Sequence, residues 1–265
     1  MKTISDRAFF ERRDDGYFVG GDAARGPWSS EHCHAGPVSG LLARAAERLV
    51  EDKQLTRLSV DILRAVPLNG IRIEASIKKS GRTLATVEAR AYDRENRVCC
   101  VGNTVHMATG NLEHAATVSV SRPHFSEATP GPFPMAKRAH SLPSFGMGCE
   151  IAYPPGENEN PGPTTVWLKT LPLVGGEKTS PFQSLCPIGD CGNAFSRNAD
   201  PDVVSFMNLD LTIHLFRPPE SRWLASRAES YWEPSGIGLS RALLFDKKGA
   251  VGQATQSLLL RSQAG

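Results

Sequence analysis

The chain has 265 residues, 40% of them hydrophobic, and its 30 basic and 28 acidic side chains leave a formal charge of +2. That length and apolar content suffice for two modest cores, while so balanced a charge gives no broad field for nucleic acid or an anionic membrane surface, so an anionic ligand must be met by local groups. No apolar run approaches a bilayer-spanning length, and residues 1–15 are charged where a secretory signal would be apolar, so a cytoplasmic protein is expected.

Residues 9–20 read as a strand and turn, and Gly36-Pro37-Val38-Ser39-Gly40 leads into an Ala- and Leu-rich helix at 41–50. Strands are predicted at 58–66, 71–79, 83–92 and 98–107, parted by turn signals at Asn69-Gly70, Ser80-Gly81 and 93–96. Prolines at 123, 130, 132, 134 and 143 make 121–143 a linker, because proline disfavours both helix and central strand. Beyond it come strands at 145–153 and 164–172 around a Pro- and Gly-rich loop at 154–163. A short helix at about 192–198 and strands at 206–216, 223–232, 238–245 and 251–261 complete the chain. The predicted fold class is α+β, with a helix and a four-stranded meander in each half.

The second half repeats the first. A shift of 153 residues carries Arg64 onto Arg217, Gly36 onto Gly189, Arg44 onto Arg197, Ala89 onto Ala242, Asp93 onto Asp246 and Val98 onto Val251. It also lays Leu58, Val60 and Ile62 on Leu211, Ile213 and Leu215, in the alternation of a half-buried strand. The expected domains are therefore 1–120 and 144–265, joined by the linker 121–143.

Most conspicuous residues have structural readings. The six cysteines include a vicinal pair and no CxxC, which argues against a disulfide framework or zinc knuckle and for buried thiols. His32-Cys33-His34 offers ligand-type atoms without a third and fourth ligand at supporting spacing, so no metal site is expected. Ser39 is one position away from a GxSxG serine and reads as a helix-start hydroxyl, and Cys191 has no histidine near it in sequence to pair with. Trp28, Trp167, Trp223, Trp232, Phe145, Phe182 and Phe195 are expected in the core, and Asp246-Lys247-Lys248-Gly249 is expected to be a hairpin turn. Arg217 reads as a strand-end residue, with a CoA phosphate as its other possible partner. Asp190, ahead of a predicted helix, reads by itself as an N-cap, and Gln256 as a solvated strand residue.

The wording of the chain changes that balance. Cys33-His34-Ala35-Gly36-Pro37-Val38-Ser39-Gly40-Leu41-Leu42 and the strand at 58–67 resemble the opening of the double-hotdog acyl-CoA thioesterases (type II), in which a long helix wrapped by an antiparallel sheet occurs twice in tandem. Gly189-Asp190-Cys191-Gly192-Asn193, Asn208-Leu209-Asp210-Leu211-Thr212-Ile213-His214-Leu215-Phe216-Arg217-Pro218 and 252–260 resemble that family's catalytic segments in order. The resemblance implies hydrolysis of a fatty acyl-CoA by a water held among Asp190, Asn208 and Gln256, with Asn208 standing where the best-known members have threonine. It implies acyl-CoA as the partner and no cofactor.

That trio suits the chemistry. A carboxylate can take the proton of the attacking water while neighbouring amides fix its orientation. The free backbone N–H groups near Gly192 and Asn193, at the start of the second helix, suit the developing oxyanion, and glycine at 192 admits substrate close to the backbone. Shifted back by 153, Asp190, Asn208 and Gln256 fall on Pro37, Leu55 and Asn103, so one active site per chain is expected, at the interface between repeats, with the acyl chain in an apolar groove lined partly by the first helix. Two other readings stand: a hotdog hydratase or dehydratase, which would pair a histidine such as His34 with an Asp at the helix, and a non-catalytic acyl-thioester binding module. A homo-oligomer through exposed strand edges is possible as well.

Overall fold

The computed structural model describes residues 8–114, 116–134 and 142–263. Residues 135–141 of the expected linker, and the ends of both expected domains at 1–7 and 264–265, lie outside the described residues. A short hairpin of β1 (Phe10–Arg12) and β2 (Phe18–Gly20) precedes helix α1 (Ala35–Glu47). Four strands follow, β3 (Gln54–Ile62), β4 (Arg72–Ser80), β5 (Leu84–Tyr92) and β6 (Val98–Met107). Then come β7 (Thr129–Pro130), β8 (Cys149–Tyr153), β9 (Thr164–Thr170) and two consecutive helices, α2 (Pro181–Gly189) and α3 (Gly192–Ser196). The chain ends in β10 (Val204–Asn208), β11 (Asp210–Leu215), β12 (Leu224–Trp232), β13 (Ile237–Asp246) and β14 (Gly249–Ser262).

Among the described residues twelve strands form one antiparallel sheet in the order β4-β5-β6-β3-β11-β14-β13-β12-β9-β8-β7, with β10 pairing β14 beside β11. The halves meet where β3 pairs β11, and in that register Ser59 lies opposite Thr212, its own counterpart at the shift of 153, with the two hydroxyls 3.1 Å apart. A pseudo-twofold axis therefore passes through this pair. The backbone of the repeat recurs too: Leu63 and Arg64 both donate to the Cys99 carbonyl, as Phe216 and Arg217 do to that of Val251. Val251 thus corresponds to Cys99 rather than Val98, because the turn into β6 has one residue more than the Asp246–Gly249 hairpin turn into β14. Each half is a helix on an antiparallel sheet, the tandem hotdog expected, but the helix of the second half is broken into α2 and α3, and the expected four-stranded meander is three strands, β4-β5-β6 or β12-β13-β14, with β3 or β11 added beside the last of them.

The segment Gly36-Pro37-Val38-Ser39-Gly40 lies inside α1 rather than ahead of it. Pro37 is tolerated because the first-turn N–H groups have no intrahelical acceptor. The two glycines, one turn apart, let α1 run antiparallel against α2: a Cβ at Gly36 would sit 2.8 Å from the Pro187 Cα, and one at Gly40 2.9 Å from a Leu173 methyl. Helix α2 itself is absent from the sequence reading, since Pro181, Pro187 and Gly189 look like breakers. Pro181 instead occupies its first turn behind a Ser180–Gln183 capping box, and Glu47 of α1 accepts from both capping side chains.

Two departures concern the linker and the aromatics. Thr129–Pro130 pairs with β8, and Phe125 packs edge-on against Trp167 at 5.3 Å, so this stretch covers apolar residues on the outer sheet face. Residues 145–148 form a single 3₁₀ turn before β8 begins. Phe145, Phe182, Phe195 and Trp167 are buried as expected, but Trp223 and Trp232 are only partly buried and Trp28 is 62% exposed.

The strand predicted at 206–216 is two strands. β10 and β11 both pair β14, yet their registers differ by one residue, which places a bulge at Leu209. The same shift occurs between Leu55 and Arg57 in β3, at the corresponding position Thr56. In a regular strand whose inward residues are Leu211 and Ile213, Asn208 would point outward; the extra residue turns it inward, just as Leu55 is turned into the core.

Candidate active site

Asp190 is the residue that closes α2, with helical dihedrals (φ −78°, ψ −9°), at the joint with α3. It does not cap a helix N-terminus, contrary to its plainest sequence reading. Its Oδ1 accepts from Asn208 Nδ2 at 2.7 Å and from Gln256 Nε2 at 3.0 Å. Gln256 Nε2 also lies 3.0 Å from the Asp190 carbonyl, while Gln256 Oε1 faces the Asn193 N–H at 3.4 Å. Asp190, Asn208 and Gln256, which come from three separate elements of the second half, are thus one hydrogen-bonded cluster.

Gly192 borders this cluster: a Cβ there would stand 2.7 Å from the Ser240 Oγ and 3.3 Å from Gln256 Oε1, so glycine is needed for β13 and β14 to pack this closely against α3. Asn193 is buried, its Oδ1 accepting from Trp232 Nε1 at 2.9 Å. The strand pairing corrects one correspondence. Gln256 faces inward and matches Thr104 of β6, not the exposed Asn103. The first half still offers neither a carboxylate nor a glutamine there.

A fourth member comes from the other repeat. His34, at the N-cap of α1, places Nδ1 2.9 Å from Asp190 Oδ2. The same nitrogen lies 3.2 Å from the Gly36 N–H, and it cannot donate to one group and accept from the other at once. Because Asp190 already accepts from two amides, the consistent arrangement has Nδ1–H donating to the carboxylate. The imidazole stacks on Phe145 at 4.1 Å between ring centroids and lies 5.5 Å from the Trp28 ring. No spacing in the sequence signals this contact, because it depends on α1 and α2 being packed end against end.

His34, Asp190 and Gln256 are buried, whereas Asn208 is half-exposed, so the cluster faces solvent on the β10 side. A carboxylate has about four acceptor positions, and these contacts fill two on Oδ1 and one on Oδ2. The remaining position on Oδ2 can accept a water hydroxyl.

The other groups singled out in the sequence are engaged elsewhere. Arg217 forms a two-pronged pair with Asp246, at 2.9 and 2.7 Å, so it is not a free cation for a phosphate. Burial pushes the Cys191 thiol well above its ordinary value, as does the nearby Asp190 charge, which disfavours a thiolate nucleophile. In His32-Cys33-His34, the first ring meets Ser29 Oγ, the thiol points to the Pro67 carbonyl and the second ring turns to Asp190, so the three do not converge.

The same architecture occurs in known proteins. The acyl-CoA thioesterase N-terminal domain matches residues 24–108, and the acyl-CoA thioesterase C-terminal domain matches 124–260. The chain belongs to the acyl-CoA thioesterase family and is a thioester hydrolase.

Among solved structures it is similar to a protein of Novosphingobium aromaticivorans assigned as a thioesterase, with 20% identity, TM-score 0.77, and 96% of this chain and 99% of that one covered. It is also similar to the acyl-CoA thioesterase II TesB2 of Mycobacterium marinum, with 15% identity, TM-score 0.68 and 97% of each chain covered. A hot dog protein of unknown function from Alicyclobacillus acidocaldarius gives 14% identity, TM-score 0.72 and the same coverage of 97% each. At these identities the likeness establishes the fold. No curated protein matches the chain.

Proposed function

We propose that this protein hydrolyses an acyl-CoA thioester to the free acid and CoA, as a cytoplasmic enzyme of fatty acid metabolism, with Asp190 as the base. Water bound to Asp190 Oδ2 gives up a proton to the carboxylate as its oxygen attacks the thioester carbonyl carbon. The C–S bond then breaks, and the departing thiolate regains a proton from the Asp190 carboxyl. Asn208 and Gln256 hold the Asp190 carboxylate, and through it the water, in line, and the oxyanion would take the backbone N–H of Gly192 and that of Asn193, the latter exchanging its contact with Gln256 Oε1 for the substrate. The acyl chain would lie beside α1, which requires the Phe145 and Trp28 cover over His34 to move aside.

The observation that carries this reading is the bonding of both amides to one carboxylate oxygen, at 2.7 and 3.0 Å. The test is Asp190→Asn, assayed by thiol release from acyl-CoA. Loss of a general base lowers kcat by about 10²–10⁴, with acyl-CoA binding retained. Undiminished turnover removes Asp190 from the mechanism.

The His34–Asp190 contact is the arrangement a hotdog hydratase would use, which is the one observation in favour of that second reading. The family match does not favour it. A change in enoyl absorbance without thiol release would establish it instead.

A further inference from the structure

We propose that the opening beside β10 receives the phosphopantetheine arm of the substrate, with the arm's amides on the free edge of β10 and a phosphate on Arg64. The proposal rests on the thioester-hydrolase reading of the Asp190 cluster and adds how the rest of the substrate is held. β10 pairs β14 on one side only, and among the described residues no strand pairs its other side.

The pattern of bonds shows which groups face outward. Leu260 donates away from β10, to the Gly236 carbonyl, while Leu209 donates to Ser257 and Gln263 to Val203 across the β10–β14 pair. In an antiparallel pair these directions alternate, so the N–H and C=O of Phe206 and Asn208 point to the unpaired side.

The edge is open for a local reason. Ile62 still donates to the Leu209 carbonyl, but the next two residues, Leu63 and Arg64, turn their N–H groups to Cys99 and carry the chain toward β6. The gap so formed begins at Asn208, the half-exposed member of the cluster, so a ligand lying in it has one end at Asp190. An extended chain with two amides can bond such an edge as an added strand would.

Arg64 lies two residues beyond Ile62, where the chain leaves β11. Its counterpart at the shift of 153, Arg217, is held by Asp246. Asp93, the residue corresponding to Asp246, is held instead by Arg97 at 2.7 Å. Arg64 is exposed and has no carboxylate partner among the described residues. Of the two equivalent positions only Arg217 thus keeps its carboxylate, and the arginine without one follows the strand end that opens the gap. In a chain of almost neutral charge this supplies the local cation that a phosphate requires.

The experiment compares an acyl-CoA with the N-acetylcysteamine thioester of the same acid, which lacks the phosphates and one of the two amides. Arg64→Ala is expected to raise KM for acyl-CoA about tenfold with kcat within about twofold, to leave the short thioester unaffected, and to be largely rescued by Arg64→Lys. Equal effects on both substrates, or no effect, overturn the phosphate contact. Phe206→Pro removes an outward N–H without touching the β14 pairing, so relative to Phe206→Ala it is expected to lose a further several-fold in kcat/KM on acyl-CoA and to leave the short thioester, which lacks the farther amide, unaffected. Equal rates for these two variants overturn the amide contact. Should the wild type cleave neither thioester, the hydrolase reading fails, and calorimetric titration with CoA itself decides the cleft: weaker binding to Arg64→Ala supports it, equal or absent binding overturns it.

Discussion

His34 of the first repeat and Asp190 of the second stand 2.9 Å apart through Nδ1 and Oδ2, so the carboxylate of one half is oriented by the ring of the other. A hydrogen bond to a charged group is worth about 1.5–3 kcal/mol. His34→Phe keeps a ring against Phe145 and removes that bond. Its kcat is expected to fall about tenfold to a hundredfold with KM little changed, and His34→Gln to recover part of the loss. A kcat equal to wild type in His34→Phe would show that the contact has no part in turnover.

Asn208 can be tested against its own counterpart. Asn208→Leu copies Leu55 of the first repeat and withdraws one of the two donors on Asp190 Oδ1. It is expected to lower kcat about tenfold to a hundredfold, while Asn208→Thr, which keeps a donor, stays closer to wild type. Indistinguishable steady-state rates for the leucine and threonine variants would contradict a polar role at this position.

Gly36 is the contact point of α1 with the end of α2. An added methyl would meet the Pro187 Cα at 2.8 Å and the Asp190 Cβ at 3.1 Å, both parts of a packed helix end that has little room to yield. Gly36→Ala is expected to cost about 1–3 kcal/mol in a denaturant titration and to lower kcat by shifting Asp190. Wild-type stability and rate together would mean that the helices separate freely.

Acid acts on two groups in separate windows. Burial lowers the pKa of His106 to about 4, and its Nε2 lies 3.0 Å from Thr104 Oγ1. Between the ordinary histidine value of about 6.5 and 4, the unfolded chain binds a proton that the folded chain does not, so stability falls as pH drops through this window and this group adds no further loss below it. Melting temperature measured from pH 7 to 4 should therefore flatten in His106→Leu. A slope unchanged by the substitution would assign the loss to other groups.

For Asp246, burial alone would raise the pKa, but the Arg217 guanidinium and the N–H groups of Glu220 and Lys248 outweigh it and hold the carboxyl at about 2. Its contribution is complete above the ordinary carboxylate value of about 3.9 and disappears as pH falls through 2.

Much of the fold can be read from local pattern. The two halves, the existence of strands β3 to β6 and the turns at Asn69-Gly70 and Asp246–Gly249 are set by two-residue alternation and by residues suited to tight turns, whereas the pairing of β3 with β6 instead of β4 is a long-range choice. Helix α2 could not be read this way. Its prolines and glycine are breakers by propensity, and it is stabilised by its capping box, by Glu47 and by burial against α1. The trio Asp190, Asn208 and Gln256 came from likeness to a family and not from spacing, since each residue taken alone has an ordinary structural reading.

The sequence alone determined that a helix-and-sheet unit occurs twice and that a carboxylate and a glutamine are present only in the later copy, because hydrophobic alternation and residue identity are local properties. Only the tertiary structure decided that these groups meet. A bulge at Leu209, whose existence depends on the register with β14, turns Asn208 inward, and the close crossing of α1 with α2 delivers His34 to Asp190. Which face a side chain occupies after a register shift, and which helix ends touch, are properties of pairs of segments, and neither segment carries them by itself.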